Sequence, residues 1–389
     1  MTIDTPTDPR IALARRLTTD VLGPLKSTFV GKDEIIDLLG ICLVGGENLF
    51  ILGPPGTAKS AIVHALARRI EGRVFDYLLT RFTEPSELFG PFDIRKLREG
   101  ELVTNTEGML PEASLVFLDE LLNANSAILN SLLAVLNERV FRRGRETRRL
   151  PLLAVVGASN RLPEDDTLAA LFDRFLLRVR SDNVSDEQLD DVLAAGWRLD
   201  VARESDVAPV AMAVDEIRRV QSLLADVDLA GVRPRFVEVV RALRRAGVTI
   251  SDRRGVKLQR LIAASCVLCG RLTANVTDLW ILRHVWDTEE QREVIAAIVD
   301  KAIDRAEAHD HESAHPRSRG DLPDPESLAR EIERLEDAFR AGMTLSDRAV
   351  AHDRLGLLTS RTAWVQDGQQ RGFLEERIRE AWAVVEATP

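Results

Sequence analysis

The chain has 389 residues, of which 45% are hydrophobic and 29% charged, and its net charge is −10. This length accommodates two or three domains with cores of their own, and the negative charge argues against general nucleic-acid binding, which needs an excess of Lys and Arg. The chain has three cysteines, an N-terminus that lacks the basic and apolar regions of a signal peptide, and no run near the roughly 20 apolar residues that span a bilayer. We therefore expect a cytoplasmic protein without a membrane span or disulfide framework.

The first half of the chain predicts an α/β fold. An amphipathic helix is expected over 10–27, and a second helix opens at Phe29-Val30-Gly31-Lys32 and runs to about 43. Apolar strands are predicted near 48–52, 74–79, 115–118, 152–157 and 175–179, and helices near 60–70, 84–89, 125–138 and 164–172. This alternation is typical of a mostly parallel sheet with helices on both faces.

The loop after the first strand has the composition of a phosphate-binding loop. Gly53 and Gly56 allow a tight turn in which several backbone N–H groups face one anion, and the next helix adds its positive end. Lys59 would reach the β and γ phosphates of a nucleotide, and Ser60 would place a hydroxyl on Mg²⁺. The segment predicted to bind the nucleotide is Gly53, Pro54, Pro55, Gly56, Thr57, Ala58, Lys59 and Ser60.

Ala58 departs from the consensus, which has glycine before the lysine. Alanine readily adopts helical dihedrals, so we expect this position to keep a negative φ. On that expectation the loop tolerates the replacement without strain.

A second acidic motif follows the apolar run Ser-Leu-Val-Phe-Leu, where Asp119 and Glu120 stand side by side. A buried parallel strand is continuously hydrophobic, and its carboxyl end is where nucleotides bind in open α/β sheets. Asp119 would hold the water shell of Mg²⁺, and Glu120 would polarise the attacking water.

Two insertions interrupt the alternation. Residues 92–110 are polar and rich in turns, and 139–150 predict an arginine-rich hairpin that turns at Gly144. Its arginines form either a solvated ribbon or a contact for a partner or substrate.

From about 205 the pattern is helical. Helices are predicted over 208–225, 233–246, 252–270, 277–286 and 288–308, and then from 324 to about 341 and over 370–387. The expected domains are a nucleotide-binding core (1–204), an all-α lid (205–308), a polar linker (309–322) and a C-terminal helical region (323–389).

With both nucleotide motifs placed, the chain resembles the MoxR branch of the AAA+ ATPases, and most closely its RavA-type members, from about 29 to 286. The matching segments, besides the phosphate loop and the acidic motif, are 77–91, Leu-Leu-x-x-Leu-Asn-Glu-Arg at 132–139, Ala-Ser-Asn at 158–160 and Asp-Arg-Phe at 173–175. The resemblance implies an AAA+ P-loop core followed by a helical lid. It also makes Ala58 ordinary for the branch.

The resemblance assigns further roles by position. Asn160 would be the sensor-1 residue that hydrogen-bonds the attacking water or the γ-phosphate. Arg174 matches the arginine finger, which acts on the nucleotide of a neighbouring subunit. Arg253 matches sensor 2, with Arg254 beside it as the competing candidate.

The resemblance also implies where the adenine packs and how the protein assembles. Val30 and Gly31 fall where the family packs the adenine of ATP, and the two insertions match elements that face a central pore. The implied assembly is a ring, most simply a hexamer, that works on an unknown client together with a protein carrying a von Willebrand factor A domain.

Two other functions stay open at this point. One is a magnesium-chelatase-type motor subunit, which shares the clade and its insertions. The other is a regulatory ATP-binding module with little turnover, against which the intact Glu120 argues.

Overall fold

The computed structural model describes residues 8–100, 102–143, 146–163, 166–203, 210–304, 314–319, 325–341, 355, 358 and 368–387. The chain divides into two compact units, one ending at His315 and the other beginning at Pro316. The predicted linker over 309–322 straddles this division. His315 itself is buried and its ring stacks on Trp280, with the centroids 4.9 Å apart.

The chain enters through a continuous helical run rather than one regular helix. Helix α1 covers Pro9–Arg16, a π-helical turn covers Leu17–Leu22, and α2 covers Gly23–Thr28. Pro24 has no N–H to donate back along the helix, and the turn before it widens to the π form. Helix α3 follows at Asp33–Gly45.

The predicted parallel sheet is present. Its strands run in the order β2-β3-β6-β1-β7, and all pairs are parallel. The strands are β1 (Leu49–Leu52), β2 (Val74–Leu78), β3 (Leu115–Asp119), β6 (Ala154–Ser159) and β7 (Leu177–Arg180), with β4 (Val140–Arg143) and β5 (Glu146–Arg149) forming a separate hairpin. The helices are α4 (Lys59–Arg69), α5 (Pro85–Phe89), α6 (Ile94–Arg98), α7 (Ser126–Glu138) and α8 (Asp166–Phe172).

The sheet is fixed by dense apolar packing at its centre. The ring of Phe50 in β1 meets Phe172 and Phe175 edge-on, with centroids 4.9 and 5.7 Å away. At Gly157 of β6, a Cβ would lie 2.6 Å from Leu121 Cδ2 and 2.9 Å from Phe175 Cζ. Close packing of this kind holds the strand ends, and therefore the loops that leave them, in place.

The two segments predicted as insertions contain short elements of their own. In the first, Phe92 and Thr104 form an antiparallel bridge around α6, which exposes Ile94 and Leu97. The second is the β4–β5 hairpin, in which Arg143 pairs with Glu146. The predicted turn residue Gly144 lies outside the described residues.

The rest of the first unit is helical. One helix, α9 (Leu189–Arg203), was not predicted. It is followed by α10 (Val214–Ser222), α11 (Arg233–Arg245), α12 (Asp252–Leu268) and α13 (Gln291–Asp304). The helix predicted over 277–286 is a 3₁₀ segment, Val276–His284.

A buried charge cluster ties the sheet to these helices. Arg178 of β7 donates to the carbonyl O of Trp286 and to Asp287 Oδ1, both at 2.8 Å. Arg254 of α12 reaches the same carboxylate oxygen at 3.2 Å. Burial, followed by the charge of Arg254, lowers the pKa of Arg178 to about 9. One carboxylate therefore serves two buried arginines at the junction of β7 and α12.

The second unit contains a 3₁₀ turn (Pro316–Arg319), α14 (Pro325–Ala341) and α15 (Gly368–Ala387). The two helices share an apolar core that includes Ile332 and Leu374, and Arg377 Nη2 lies 3.2 Å from Glu336 Oε2. Among the described helices of the whole chain, none combines the length and apolar character needed to cross a bilayer.

Candidate functional site

The phosphate-loop segment leaves the carboxyl end of β1 as a tight turn. A Cβ at Gly53 would lie 2.2 Å from the carbonyl O of Ser181, so only glycine fits this close approach. Gly56 has a φ of 83°, in the left-handed region that favours glycine. The turn therefore requires glycine at Gly53 for the close approach and favours it at Gly56 for the positive φ.

The expectation for Ala58 was wrong. Its φ is 64° and its ψ is 17°, which is left-handed rather than right-handed helical geometry. This conformation costs a residue with a Cβ about 1–2 kcal/mol, which explains why the consensus has glycine here. Helix α4 begins at the next residue, and no side chain caps its first turn. The N–H groups of that turn are thus available to an anion.

Lys59 is a buried cation whose ammonium group is held by backbone carbonyls. Only 8% of its surface is exposed, and its Nζ donates to the carbonyl O atoms of Gly53 (2.9 Å) and Pro54 (2.8 Å). Among the described residues, no carboxylate forms a salt bridge with it. A buried charge is stable only when it is paired, so a phosphate would supply what the loop lacks.

The two acids lie beside this loop at the same edge of the sheet. Asp119 ends β3, and its Oδ1 accepts a hydrogen bond from Glu120 N at 3.0 Å. Glu120 has a φ of 50°, so it too is held in the left-handed region. Burial, reinforced by the negative charge of Asp119, raises the pKa of the Glu120 carboxyl.

Sequence reasoning missed two neighbours of Glu120. Asn123 Nδ2 donates to Glu120 Oε2 at 3.3 Å, and Arg161 Nη2 donates to Asn123 Oδ1 at 3.1 Å. Arg161 follows Asn160, which is exposed directly after the carboxyl end of β6. Asn160 therefore lies at the strand end between β3 and β1, and the only sequence signal for the other two was their proximity to the motifs.

The segment predicted to pack the adenine and the phosphate loop both contact the stretch of chain that follows β7. Gly31 has a φ of 70°, and a Cβ there would lie 3.0 Å from Val184 Cγ1. The same stretch contains Ser181, whose Oγ donates to Thr57 O at 3.1 Å. Val30 and Gly31 thus lie near the carboxyl edge that carries the loop.

Arg174 lies at the opposite edge of the sheet. Its carbonyl O accepts a hydrogen bond of 2.9 Å from Nδ2 of Asn48, the residue immediately before β1. Strands advance about 3.3 Å per residue, so Asn48 and Gly53 are about 16 Å apart along the strand. An arginine side chain is too short to cover that distance back to its own phosphate loop.

Arg253 shares the edge of Arg174. Its Nη2 donates to Asn137 Oδ1 at 3.2 Å, and both arginines line one small surface pocket together with Lys257. The competing candidate, Arg254, is 3% exposed and bound to Val285 O and Asp287. The structure therefore favours Arg253 over Arg254 as the exposed cation of this pair.

The residues at the carboxyl edge fit ATP and Mg²⁺. The predicted metal ligands, the Ser60 hydroxyl and the Asp119 carboxylate, are oxygen donors, and Mg²⁺ typically takes one or two protein oxygens plus phosphates and waters. No group of three or more His, Cys, Asp or Glu that could hold a metal occurs among the described residues. The uncapped helix end and the unpaired Lys59 provide the matching phosphate contacts.

Family models match two consecutive parts of the chain, and two relatives match most of its length. Residues 15–222 match the model of the MoxR domain in the MoxR-vWA-beta-propeller ternary systems, and residues 234–299 match an AAA lid domain. An uncharacterised protein of Methanocaldococcus jannaschii is 35% identical over 73% of this chain and 76% of its own length, and a second from the same organism is 36% identical over 68% and 70%.

More distant relatives share parts of the chain or its fold. The chaperone MoxR1 of Mycobacterium tuberculosis is 25% identical over 43% of this chain and 45% of its own length. A solved structure from Cytophaga hutchinsonii, provisionally assigned as an ATPase, superposes with a TM-score of 0.62 at 18% identity and covers 76% of this chain and 96% of that one. It shares the fold. The chain belongs to the MoxR family of AAA+ ATPases.

Proposed function

We propose that this chain hydrolyses ATP at interfaces between copies of itself in a closed ring, most simply a hexamer. The observation that supports this most directly is the separation of the charged groups. Lys59 and Glu120 lie at the carboxyl edge of the sheet, whereas Arg174 and Arg253 lie at the amino edge, about 16 Å away along β1. A copy placed head to tail against another would complete the site with its two arginines.

Each residue at the carboxyl edge has a distinct task in this proposal. Lys59 and the first-turn N–H groups of α4 bind the phosphates, and Ser60 and Asp119 hold Mg²⁺, which would neutralise phosphate charge. Glu120 orients the attacking water, and Asn123 holds its carboxylate. Asn160 hydrogen-bonds the same water or the γ-phosphate.

The neighbouring copy provides positive charge. Arg174 and Arg253 would neutralise charge that develops on the transferred phosphoryl group, as arginine fingers do in related phosphoryl transfers. Asn48 holds the backbone of Arg174, and Asn137 holds the guanidinium of Arg253. Fixed positions matter because such groups act only when they are preorganised.

We further propose that turnover remodels a client protein, with a partner that carries a von Willebrand factor A domain. The matching family model is named for MoxR-vWA-beta-propeller systems, which supports the partner. The exposed apolar side chains of Phe82, Ile94 and Leu97 support client binding, because large exposed apolar residues are typical of protein contacts. Co-elution of candidate partners with the ATP-bound protein tests this part.

The ATPase proposal is tested by phosphate release measured over a range of protein concentrations. The specific activity should rise with concentration as copies associate, and Glu120→Gln should bind ATP normally but release little phosphate. Glu375→Gln, at an exposed position of α15, serves as the matched control. Specific activity that is constant down to monomers, or full activity of Glu120→Gln, would contradict the proposal.

A further inference from the structure

A groove between α11 and α13 carries an unusual concentration of positive charge. We call it the lid groove; its volume is about 710 Å³. Its floor includes the apolar side chains of Val239, Ala242 and Ile298, and its walls carry Arg241, Arg245 and Lys301. A cationic groove with an apolar floor fits a segment that combines acidic and apolar side chains.

The charge of the lid groove is largely uncompensated. Two other arginines at the groove are paired, Arg235 with Glu238 (2.6 Å) and Arg244 with Asp252 (2.8 Å). Arg241, Arg245 and Lys301 form no salt bridge with any described residue. In a chain with a net charge of −10, this local excess of cations will attract an acidic surface.

Helix α9 presents a surface of the complementary kind. Leu189, Leu193 and Trp197 recur every four residues and so share one face, and the last two are 63% and 74% exposed. Asp186 and Asp190, four residues apart, are exposed beside this face, and neither has a salt bridge to a described residue. We call this surface, with its three apolar residues and two acids, the α9 stripe.

We propose that the α9 stripe of one copy docks in the lid groove of the next copy. Asp186 and Asp190 meet the three cations of the lid groove, and an exposed Trp with two Leu meets an apolar floor. The contact joins two different surfaces, so it is head to tail, and contacts of this type generate rings when the rotation closes. The inference rests on the proposed function, whose composite site requires such a contact.

The two surfaces lie next to the two halves of the proposed composite site. The segment that leads into α9 packs on Gly31, where a Cβ would lie 3.2 Å from Gln188 Oε1. On the other side, Arg244 of the groove pairs with Asp252, the chain neighbour of Arg253. Docking the stripe in the groove would therefore bring the carboxyl edge of one copy towards the arginines of the next.

Charge reversal on each surface tests the proposal. One variant carries Arg241→Glu and Arg245→Glu, and the other carries Asp186→Arg and Asp190→Arg. Each alone should remain largely monomeric by sedimentation velocity at low ionic strength with ATP and Mg²⁺, because like charges then face each other. An equimolar mixture should assemble, since every contact in an alternating arrangement pairs opposite charges.

The outcomes are decisive in both directions. Assembly of the mixture but not of the separate variants supports the pairing, and it also shows that both proteins are folded. Wild-type assembly of the groove variant would overturn the proposal and leave the lid groove to an acidic partner protein. Failure of the mixture to assemble, with circular dichroism showing both proteins folded, would also overturn it.

A second variant tests the apolar part without changing charge. Trp197→Ala should weaken self-association about tenfold or more, because buried Trp side chains dominate interface energies. Phe373→Ala, at an exposed aromatic of the second unit, is the matched control. Equal association of the two variants would overturn the proposal. Sedimentation does not depend on turnover, so an inactive but assembling protein would count against the ATPase proposal alone.

Discussion

The two edges of the central sheet differ in how their functional residues are held. At the carboxyl edge, Asp119 ends β3, Asn160 directly follows β6, and Lys59 begins α4 after the loop that leaves β1. At the amino edge, Arg174 and Arg253 come from segments far apart in the chain and are held by two asparagine side chains. Parallel strands bring all their carboxyl ends together, so the first half assembles from local motifs and the second depends on long-range contacts.

The edges also differ in the kind of energetic cost they carry. The carboxyl edge contains backbone strain, with Ala58 and Glu120 in the left-handed region. Near the amino edge lies buried charge, since Arg178 and Arg254 share the single carboxylate of Asp287. Backbone strain of this sort concentrates at functional sites. The buried charge cluster has a structural role instead, because it joins β7 to α12.

The largest effect is expected at the amino edge. Arg174→Ala should reduce ATP turnover by about 10³–10⁵-fold, as the loss of an arginine finger does elsewhere, and leave ATP affinity unchanged. Steady-state phosphate release and nucleotide titration measure the two quantities. Arg219→Ala, at an exposed helical arginine, is the control. A loss of ATP affinity in Arg174→Ala would mean that the amino edge also takes part in nucleotide binding.

At the carboxyl edge, Lys59→Ala should affect binding itself. A hydrogen bond to a charged group is worth about 1.5–3 kcal/mol, so ATP affinity should fall about tenfold to a hundredfold. Isothermal titration against the folded variant gives the value. Lys96→Ala, on the exposed helix α6, should bind like the wild type. Unchanged affinity of Lys59→Ala would remove the phosphate-loop interpretation.

Asn48→Ala sharpens the comparison because it removes a contact that holds the backbone of Arg174 at the amino edge. The side chain donates to Leu136 O (3.3 Å) and Arg174 O (2.9 Å), and leaving these carbonyls unpaired should lower the free energy of unfolding by about 1–3 kcal/mol. Turnover should fall with ATP affinity intact. Denaturant titration and kinetics check both, with the exposed Asn183→Ala as control. Normal turnover would show that Asn48 does not position Arg174.

A smaller effect concerns Ala58. Glycine relieves about 1–2 kcal/mol of left-handed strain but adds about 0.4–1 kcal/mol of unfolded-state entropy, so Ala58→Gly should stabilise the chain by about 1 kcal/mol or less. Ala61→Gly, inside α4, should instead destabilise it by about 1 kcal/mol. Thermal unfolding compares the two, and equal destabilisation would contradict the left-handed geometry.

The smallest effect is a pH dependence at Glu120. Because burial and Asp119 raise its pKa in the folded protein, the stability it contributes is present below the unfolded pKa and is lost as pH rises through the folded pKa. Glu120→Gln cannot ionise. It should therefore be more stable than the wild type at neutral pH, with the difference vanishing in acid. A constant difference across the pH range would contradict the raised pKa.

The parts of the site that the sequence predicted are local in the chain. The strand-loop-helix at Lys59 and the strand ending at Asp119 are contiguous motifs, and the parallel sheet brings them together without further information. The expectation for Ala58 was wrong because it used only local information. It weighed the preference of alanine alone, whereas the path of the turn sets the φ.

The parts that the sequence left open or missed depend on tertiary contacts. Arg253 and Arg254 are neighbours in a helix and point about 100° apart, so only the packing against Val285 and Asp287 shows which one is buried. Asn48 and Asn123 belong to no sequence motif. Asn48 acts through hydrogen bonds to residues far away in the chain, and Asn123 acts through a hydrogen bond to Glu120 in the same loop. Helix α9 was missed although Leu189, Leu193 and Trp197 recur at helical spacing, and the structure leaves that apolar face exposed.

The most direct test of the central claim mixes two inactive proteins. Glu120→Gln copies keep Arg174, and Arg174→Ala copies keep Glu120, so a mixed assembly contains some interfaces with both groups intact. Phosphate release should reappear on mixing and should increase with total protein concentration. A folded Arg174→Ala protein with full activity, or wild-type activity that persists in isolated monomers, would contradict a site shared between copies.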